Sequence, residues 1–276
     1  MLPNAIDTIR VEKPALLYSR GILFDIFPYF AHNIKDKFAY SIDISIILYY
    51  NLRENNGGKE MRSFNYSAFK EQKWDSDILG LIAAIYKEAG KQEQYLKQRP
   101  QEMEKLVEIA KIQSTEASNA IEGIVTTNTR IKQLVEEKTT PRNRDEQEIA
   151  GYRDVLNVIH ESFDAIPITH NYILQLHKML YSHMNNPLAG RTKSVQNYIS
   201  AAYPDGHTEI LFTSLAPNET SEALDRICEE YNRVIGNLEV EPLIIIPIFI
   251  HDFLCIYPFN DGNGRMSRLL LSLIHI

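Results

Sequence analysis

Two strongly apolar segments, residues 242–256 and 266–274, are joined by the polar string Tyr257-Pro258-Phe259-Asn260-Asp261-Gly262-Asn263-Gly264-Arg265. The first reads as a buried helix that stops at Tyr257, because Pro258 disfavours helical geometry in the residue before it. The second reads as a helix starting near Gly264, with Met266, Leu269, Leu270, Leu273 and Ile274 at helical spacing. The chain must therefore fold so that two buried helices meet at one short turn. Gly262 and Gly264 flank Asn263 and permit positive φ and close backbone approach, so consecutive N–H groups can form an anion nest. The amides and dipole at the start of the second helix add to it. Arg265 and Arg268 oppose that dipole unless an anion sits there, which makes them sensible as phosphate ligands. Asp261 offers the kind of oxygen that Mg²⁺ takes alongside substrate phosphates. A lone Gly-Asn-Gly would read better as a helix–turn–helix corner; the whole string with both arginines favours the anion site.

The chain from Asp75 onward is helical in texture. Ile78, Leu79, Leu81, Ile82 and Ile85 make an apolar stripe, with Asp77 as the expected N-cap and Gly90 as the expected stop. Further helices are expected over 100–110, with Met103, Leu106, Val107 and Ile109 facing inward, and over 145–163, 171–183 and 221–235, the last capped by Asn218, Thr220 or Ser221. Residues 191–214 break the pattern: Val195, Tyr198, Ile199, Tyr203, Ile210, Leu211 and Phe212 surround the turn signal Pro204-Asp205-Gly206. The fold class expected is mainly α, with a short β-hairpin on a helical body. Residues 1–60 mix aromatics and isoleucines without a sustained period. They end in Gly57-Gly58-Lys59-Glu60 before Met61, the in-frame reading of a purine-rich, bacterial-type ribosome-binding site. Two readings stay open: Met61 as the biological start with 1–60 as upstream translation, or a genuine N-terminal extension. The expected organisation is this stretch, a helical region over 61–140 and a core over 141–276.

The net charge of −7 argues against nonspecific nucleic-acid binding, which a basic surface supplies, while leaving room for a local basic nucleotide pocket. Cys228 and Cys255 sit in apolar helical patterns and read as buried thiols of a reducing cytosol, so a cytoplasmic location is expected. No apolar run reaches the roughly 18 residues that span a bilayer, so no membrane partner is expected.

The string Pro258-Phe259-Asn260-Asp261-Gly262-Asn263-Gly264-Arg265-x-x-Arg268 closely resembles the signature of the Fic (Fido) proteins, His-Pro-Phe-x-Asp-Gly-Asn-Gly-Arg-x-x-Arg, and the resemblance extends back to about Ser63. It implies a Fic helical fold, with 141–276 as the Fic core, and transfer of AMP from ATP to a hydroxyl of a target protein. Carried over by position, Asp261 would hold Mg²⁺. The Gly262-Asn263-Gly264 backbone and the Asn263 side chain would cradle the α/β-phosphates. Arg265 would contact phosphate and help order the loop, and Arg268 would take the γ-phosphate. The hairpin at 191–214 is similar to the family's flap, which registers a target segment by strand addition. Ser118-Asn119-Ala120-Ile121-Glu122-Gly123 matches the family's inhibitory pattern Ser/Thr-x-x-x-Glu-Gly/Asn. This implies an inhibitory helix near 114–123, N-terminal to the core, whose Glu122 pairs with Arg268 so that a carboxylate competes with a phosphate for one guanidinium fork. Taken by itself, Glu122 before Gly123 reads as the end of a helix. Gly264 is similar to the AMP-transferring majority, since phosphate-transferring relatives carry lysine there. The partners implied are ATP, an unidentified target protein and, because dimers are common in the class, a second copy.

Two departures stand out. Tyr257 occupies the position of the histidine that takes the proton from the target hydroxyl. A phenol with pKa near 10 is almost wholly protonated at neutral pH, whereas imidazole near 6.5 is poised to accept. A non-catalytic ATP-binding or protein-interaction module of the same fold is therefore the alternative function. His251, six residues earlier, reads better as a buried, hydrogen-bonded core histidine than as a substitute base. The second departure is that family members usually continue beyond this point, so a C-terminally truncated fold is expected, with an apolar face of the last helix uncovered.

Overall fold

A computed structural model describes residues 5–10, 64–202 and 206–275. A 3₁₀ turn at Tyr66–Glu71 leads into α1 (Ser76–Gln98) and α2 (Pro100–Ile121). Asp75 caps α1, its Oδ1 accepting from the Asp77 and Ile78 amides at 3.0 and 2.9 Å, so Asp77 is not the cap. Gly90 lies inside α1 and does not stop it. A mid-helix glycine costs only about 1 kcal/mol, and the Glu88–Lys91 and Glu93–Lys97 pairs flank it. α2 starts with Pro100 at a position where its missing N–H is harmless and runs past Ala110 to Ile121, directly before Glu122. Leu106, Val107 and Ile109 are exposed, against expectation. Only the far end of α2 is buried, at Thr115, Ser118 and Asn119.

Next come α3 (Asn128–Val135), α4 (Arg144–Ser162) and α5 (His170–Leu180). α3, capped by Thr127, was not expected. Its Arg130 is buried against Glu146 of α4, with Nε to Oε1 at 2.9 Å and Nη2 to Oε2 at 2.8 Å. α4 and α5 pack so closely that a Cβ on Gly151 would sit 2.0 Å from the Leu180 carbonyl oxygen. β1 (Ala5–Arg10), β2 (Asn197–Ala202) and β3 (Thr208–Thr213) form a sheet in that order. β2 and β3 are the expected hairpin, antiparallel from Tyr198↔Thr213 to Ala202↔Thr208; β1 adds to β2 in parallel, Ala5 opposite Asn197. Residues 203–205 of the expected turn lie outside the described residues, as does most of the 1–60 stretch.

α6 (Pro217–Gly236) begins at Pro217 after Ala216 and uses none of the three expected caps. α7 (Pro242–Ile256) and α8 (Asn263–His275) are the two apolar segments. α7 is buried almost throughout and packs against α6 and α8; α8 also meets α4 and the end of α2. Leu269, Leu270 and Leu273 of α8 are buried, so the face expected to lie bare is covered. Cys228 is buried, whereas Cys255 is only half-buried, and both thiols are free. Among the described residues no helix is long and apolar enough to cross a membrane.

Candidate nucleotide site

The turn between α7 and α8 is held from inside. Tyr257 ends α7 in the left-handed region (φ 52°, ψ 63°), its N–H donating to Phe253 O at 2.9 Å. A non-glycine residue there is uncommon and strained. Asn263, 2% exposed, spends its side-chain amide on one residue: Phe259 N donates to Oδ1 at 2.9 Å and Nδ2 donates to Phe259 O at 2.8 Å. Gly262 has φ +82°, and a Cβ there would meet Tyr181 Oη at 2.9 Å, so conformation and space both require glycine. Asp261 turns its carboxylate outward, 62% exposed, with Oδ1 accepting from Gly262 N at 2.7 Å.

The two arginines part company. Arg265 is 2% exposed and points into the protein. Its Nη1 lies 2.8 Å from Glu148 Oε2, its Nη2 donates to Tyr181 Oη at 3.0 Å, and its guanidinium stands over the Tyr181 ring. Asp261 Oδ2 is 3.8 Å away. Arg268 reaches the other way, to the end of α2: Nε donates to Ser118 Oγ at 2.7 Å, and Nη2 donates to Ser118 O at 3.0 Å and Glu122 Oε1 at 2.6 Å. A Cβ on Gly264 would lie 2.5 Å from that Glu122 oxygen. The Glu122 carboxylate thus rests on the first turn of α8, where the dipole favours an anion.

The structure therefore gathers Ser118, Glu122, Asp261, Gly262, Asn263, Gly264, Arg265 and Arg268 around one turn, headed by Tyr257. Within the turn, the Asn263 amide bonds to Phe259, and the buried Arg265 guanidinium lies against Glu148 and Tyr181. Glu148, Tyr181 and His177 escaped the sequence reading, because nothing marks a glutamate, tyrosine or histidine in or beside an amphipathic helix as lying beneath a loop formed 84 or more residues later. His251 lies against Asp252 and Cys255, three-tenths exposed and not fully buried. Burial lowers its pKa, but Asp252 and Cys255 outweigh that and raise it to about 9.

The hairpin is stitched to the same turn. Lys193 N donates to Pro258 O and Lys193 Nζ to Ile256 O, each at 2.8 Å, so both peptide neighbours of Tyr257 are held. Burial pushes the Lys193 amine down to about 8. Asn197 Nδ2 donates to Phe259 O at 3.2 Å.

Among the described residues no group of three or more His, Cys, Asp or Glu side chains is suited to hold a metal ion. One outward carboxylate beside the start of α8 fits a hard cation that takes its other ligands from phosphate and water, which is how Mg²⁺ is usually held.

Residues 167–275 match the protein-family model described as the Fic/DOC family. Residues 167–275 are thus a region of Fic/DOC family type. A protein adenylyltransferase Fic of Nematostella vectensis is 28% identical over 182 residues, 62% of this chain and 39% of the relative. A protein adenylyltransferase of Caenorhabditis elegans is 28% identical over 136 residues, 48% of this chain and 24% of the relative. The chain thus spans well under half the length of these relatives. Solved structures carry the same fold. A Fic family protein from Desulfovibrio desulfuricans G20 aligns with TM-score 0.57 at 22% identity, over 74% of this chain and 58% of that one. A Fic domain containing signaling protein from Bacteroides thetaiotaomicron aligns with TM-score 0.56 at 24% identity, over 64% and 66%.

Proposed function

We propose that this Fic-domain protein is a protein adenylyltransferase held in check by Glu122 and slowed by Tyr257. In this reading a hydroxyl of a target segment on the β2–β3 flap attacks the α-phosphorus of ATP, forming a phosphodiester and releasing pyrophosphate. The backbone of Gly262 and Gly264 and the first turn of α8 bind the phosphates. Asp261 holds Mg²⁺, which neutralises phosphate charge. Asn263 and Arg265 serve from behind, bracing the turn, and Arg268 receives the γ-phosphate once Glu122 leaves it.

The observation that carries the reading is Arg268, whose Nη2 is 2.6 Å from Glu122 Oε1 and 3.0 Å from Ser118 O while Nε is 2.7 Å from Ser118 Oγ. Its Nε and Nη2 are both engaged, so a phosphate competes with Glu122 for the same guanidinium. Two free thiols suit a reducing cytosol, where we place the protein.

Tyr257 supports a second reading, a nucleotide-binding module without turnover, since loss of a positioned base typically costs on the order of 10²–10⁴ in rate. One experiment separates the two. The parent, Tyr257→His, Glu122→Gly and the double variant are incubated with Mg²⁺ and labelled ATP, and both nucleotide binding and protein labelling are measured. Labelling restored by histidine and enhanced by loss of Glu122 supports transfer. Binding without labelling in the double variant selects the module, and absence of nucleotide binding in all four overturns both.

A further inference from the structure

His177 lies beneath the Asp261 side of the turn, 3% exposed, and its hydrogen bonds fix its tautomer. Gly190 N–H donates to Nδ1 at 2.9 Å, so Nδ1 is the acceptor and the ring proton resides on Nε2. Nε2 lies 3.1 Å from the Asp261 carbonyl oxygen and therefore donates to it. The ring stacks flat on Phe259, centroids 3.7 Å apart and planes 3° apart, with Tyr181 edge-on at 5.1 Å. This imidazole thus joins two segments that approach the site from different directions: Gly190, at the root of the flap, and the Asp261–Gly262 peptide. Holding the Asp261 carbonyl inward fixes that peptide plane. With the plane fixed, Gly262 N–H points back at Asp261 Oδ1, 2.7 Å away, and the carboxylate is presented outward.

We propose that His177 is a positioning residue for the divalent cation: by its Nε2–H bond to the Asp261 carbonyl it sets the carboxylate that holds the metal with the nucleotide. The inference rests on the nucleotide-binding reading above. The side chain touches neither metal nor nucleotide and acts through Asp261, as partners behind metal ligands do elsewhere.

The test uses the full chain with Glu122→Gly as parent, titrated with ATP by calorimetry in EDTA and again in Mg²⁺, and with Mn²⁺ by electron paramagnetic resonance in the presence of ATP. His177→Gln keeps an acceptor and an N–H donor at about the spacing of the ring nitrogens. His177→Phe keeps the stack on Phe259 and removes both hydrogen bonds. His177→Asn can still accept from Gly190 but is too short to reach Asp261. The expected result is that His177→Phe and His177→Asn weaken Mn²⁺ binding by about 10- to 100-fold, with metal-free ATP affinity close to the parent's, and that His177→Gln keeps most of the parent's metal affinity. Equal weakening of ATP binding with and without metal would mean a merely structural histidine and would overturn the proposal, as would unchanged Mn²⁺ affinity in both Phe and Asn variants. Should His177→Phe fail to fold, the Asn and Gln variants decide the matter alone. A parent that binds no ATP in either buffer defeats the nucleotide-binding reading itself, a different outcome from any of these.

Discussion

At the scale of single residues, two histidines give the fold opposite pH dependences. His177 is buried, and desolvation lowers its pKa from the ordinary 6.5 to about 4, against the bond to Asp261. Between those values the unfolded chain binds a proton that the native state refuses, so stability falls as pH drops from 6.5 to 4, by on the order of 3 kcal/mol at full effect. His251 has the reverse sign. Its pKa is raised to about 9, so its contribution is full below pH 6.5 and is lost as pH rises from 6.5 to 9. Urea unfolding in metal-free buffer should show His177→Gln flattening the acid limb and His251→Gln flattening the alkaline limb. Parallel curves for wild type and either variant would refute that assignment. Tyr257 belongs to this scale too. Tyr257→His on the Glu122→Gly background should raise target labelling by about 10²–10⁴-fold, with nucleotide affinity little changed, because the backbone cradle does not involve the side chain at 257.

At the scale of elements, two junctions decide how the site is assembled. The α4–α5 contact leaves no room at Gly151, where a Cβ would stand 2.0 Å from a backbone oxygen. Gly151→Ala must push the helices apart, and α5 carries His177 and ends beside Tyr181. The expected loss is at least about 3 kcal/mol, read as a lowered denaturant midpoint. The α3–α4 junction rests on the buried Arg130–Glu146 pair, with Thr139 Oγ1 and Thr140 O accepting from the same guanidinium at 2.7 Å each. Arg130→Met leaves the Glu146 carboxylate without its partner and should cost about 3–5 kcal/mol. Arg130→Met with Glu146→Gln should recover part of that loss, and a double variant no more stable than the single would count against the pair as the cause.

At the scale of the whole molecule, the end of α2 meets the start of α8 through the Glu122 and Ser118 contacts to Arg268. The Arg268–Glu122 pair is partly exposed, and pairs of that kind contribute only about 0–1 kcal/mol to folding. Glu122→Gly should therefore leave the melting temperature within a few degrees of the parent's while ATP affinity rises at least about tenfold, since an internal carboxylate no longer competes for Arg268. A large stability loss without gain in ATP affinity would make Glu122 a structural strut only.

The sequence by itself determined the turn and most helices around it. Pro258, the glycines and the spacing of Leu269, Leu270 and Leu273 act within a few residues of where they stand, so local rules suffice for α4 to α8 and for the hairpin. The pairing of Glu122 with Arg268, 146 residues apart, came only from the resemblance to the Fic proteins, since Glu122 read by itself is a helix end. Only the tertiary structure decided which way each side chain of the turn faces. Asn263 and Arg265 read as phosphate ligands until Phe259, Glu148 and Tyr181 close on them from inside. The outer half of α2 read as core, yet its Leu106, Val107 and Ile109 are exposed. In each case periodicity records which residues share a face, whereas what covers that face is set by distant segments, and so is the choice between bracing a loop from behind and meeting a ligand in front.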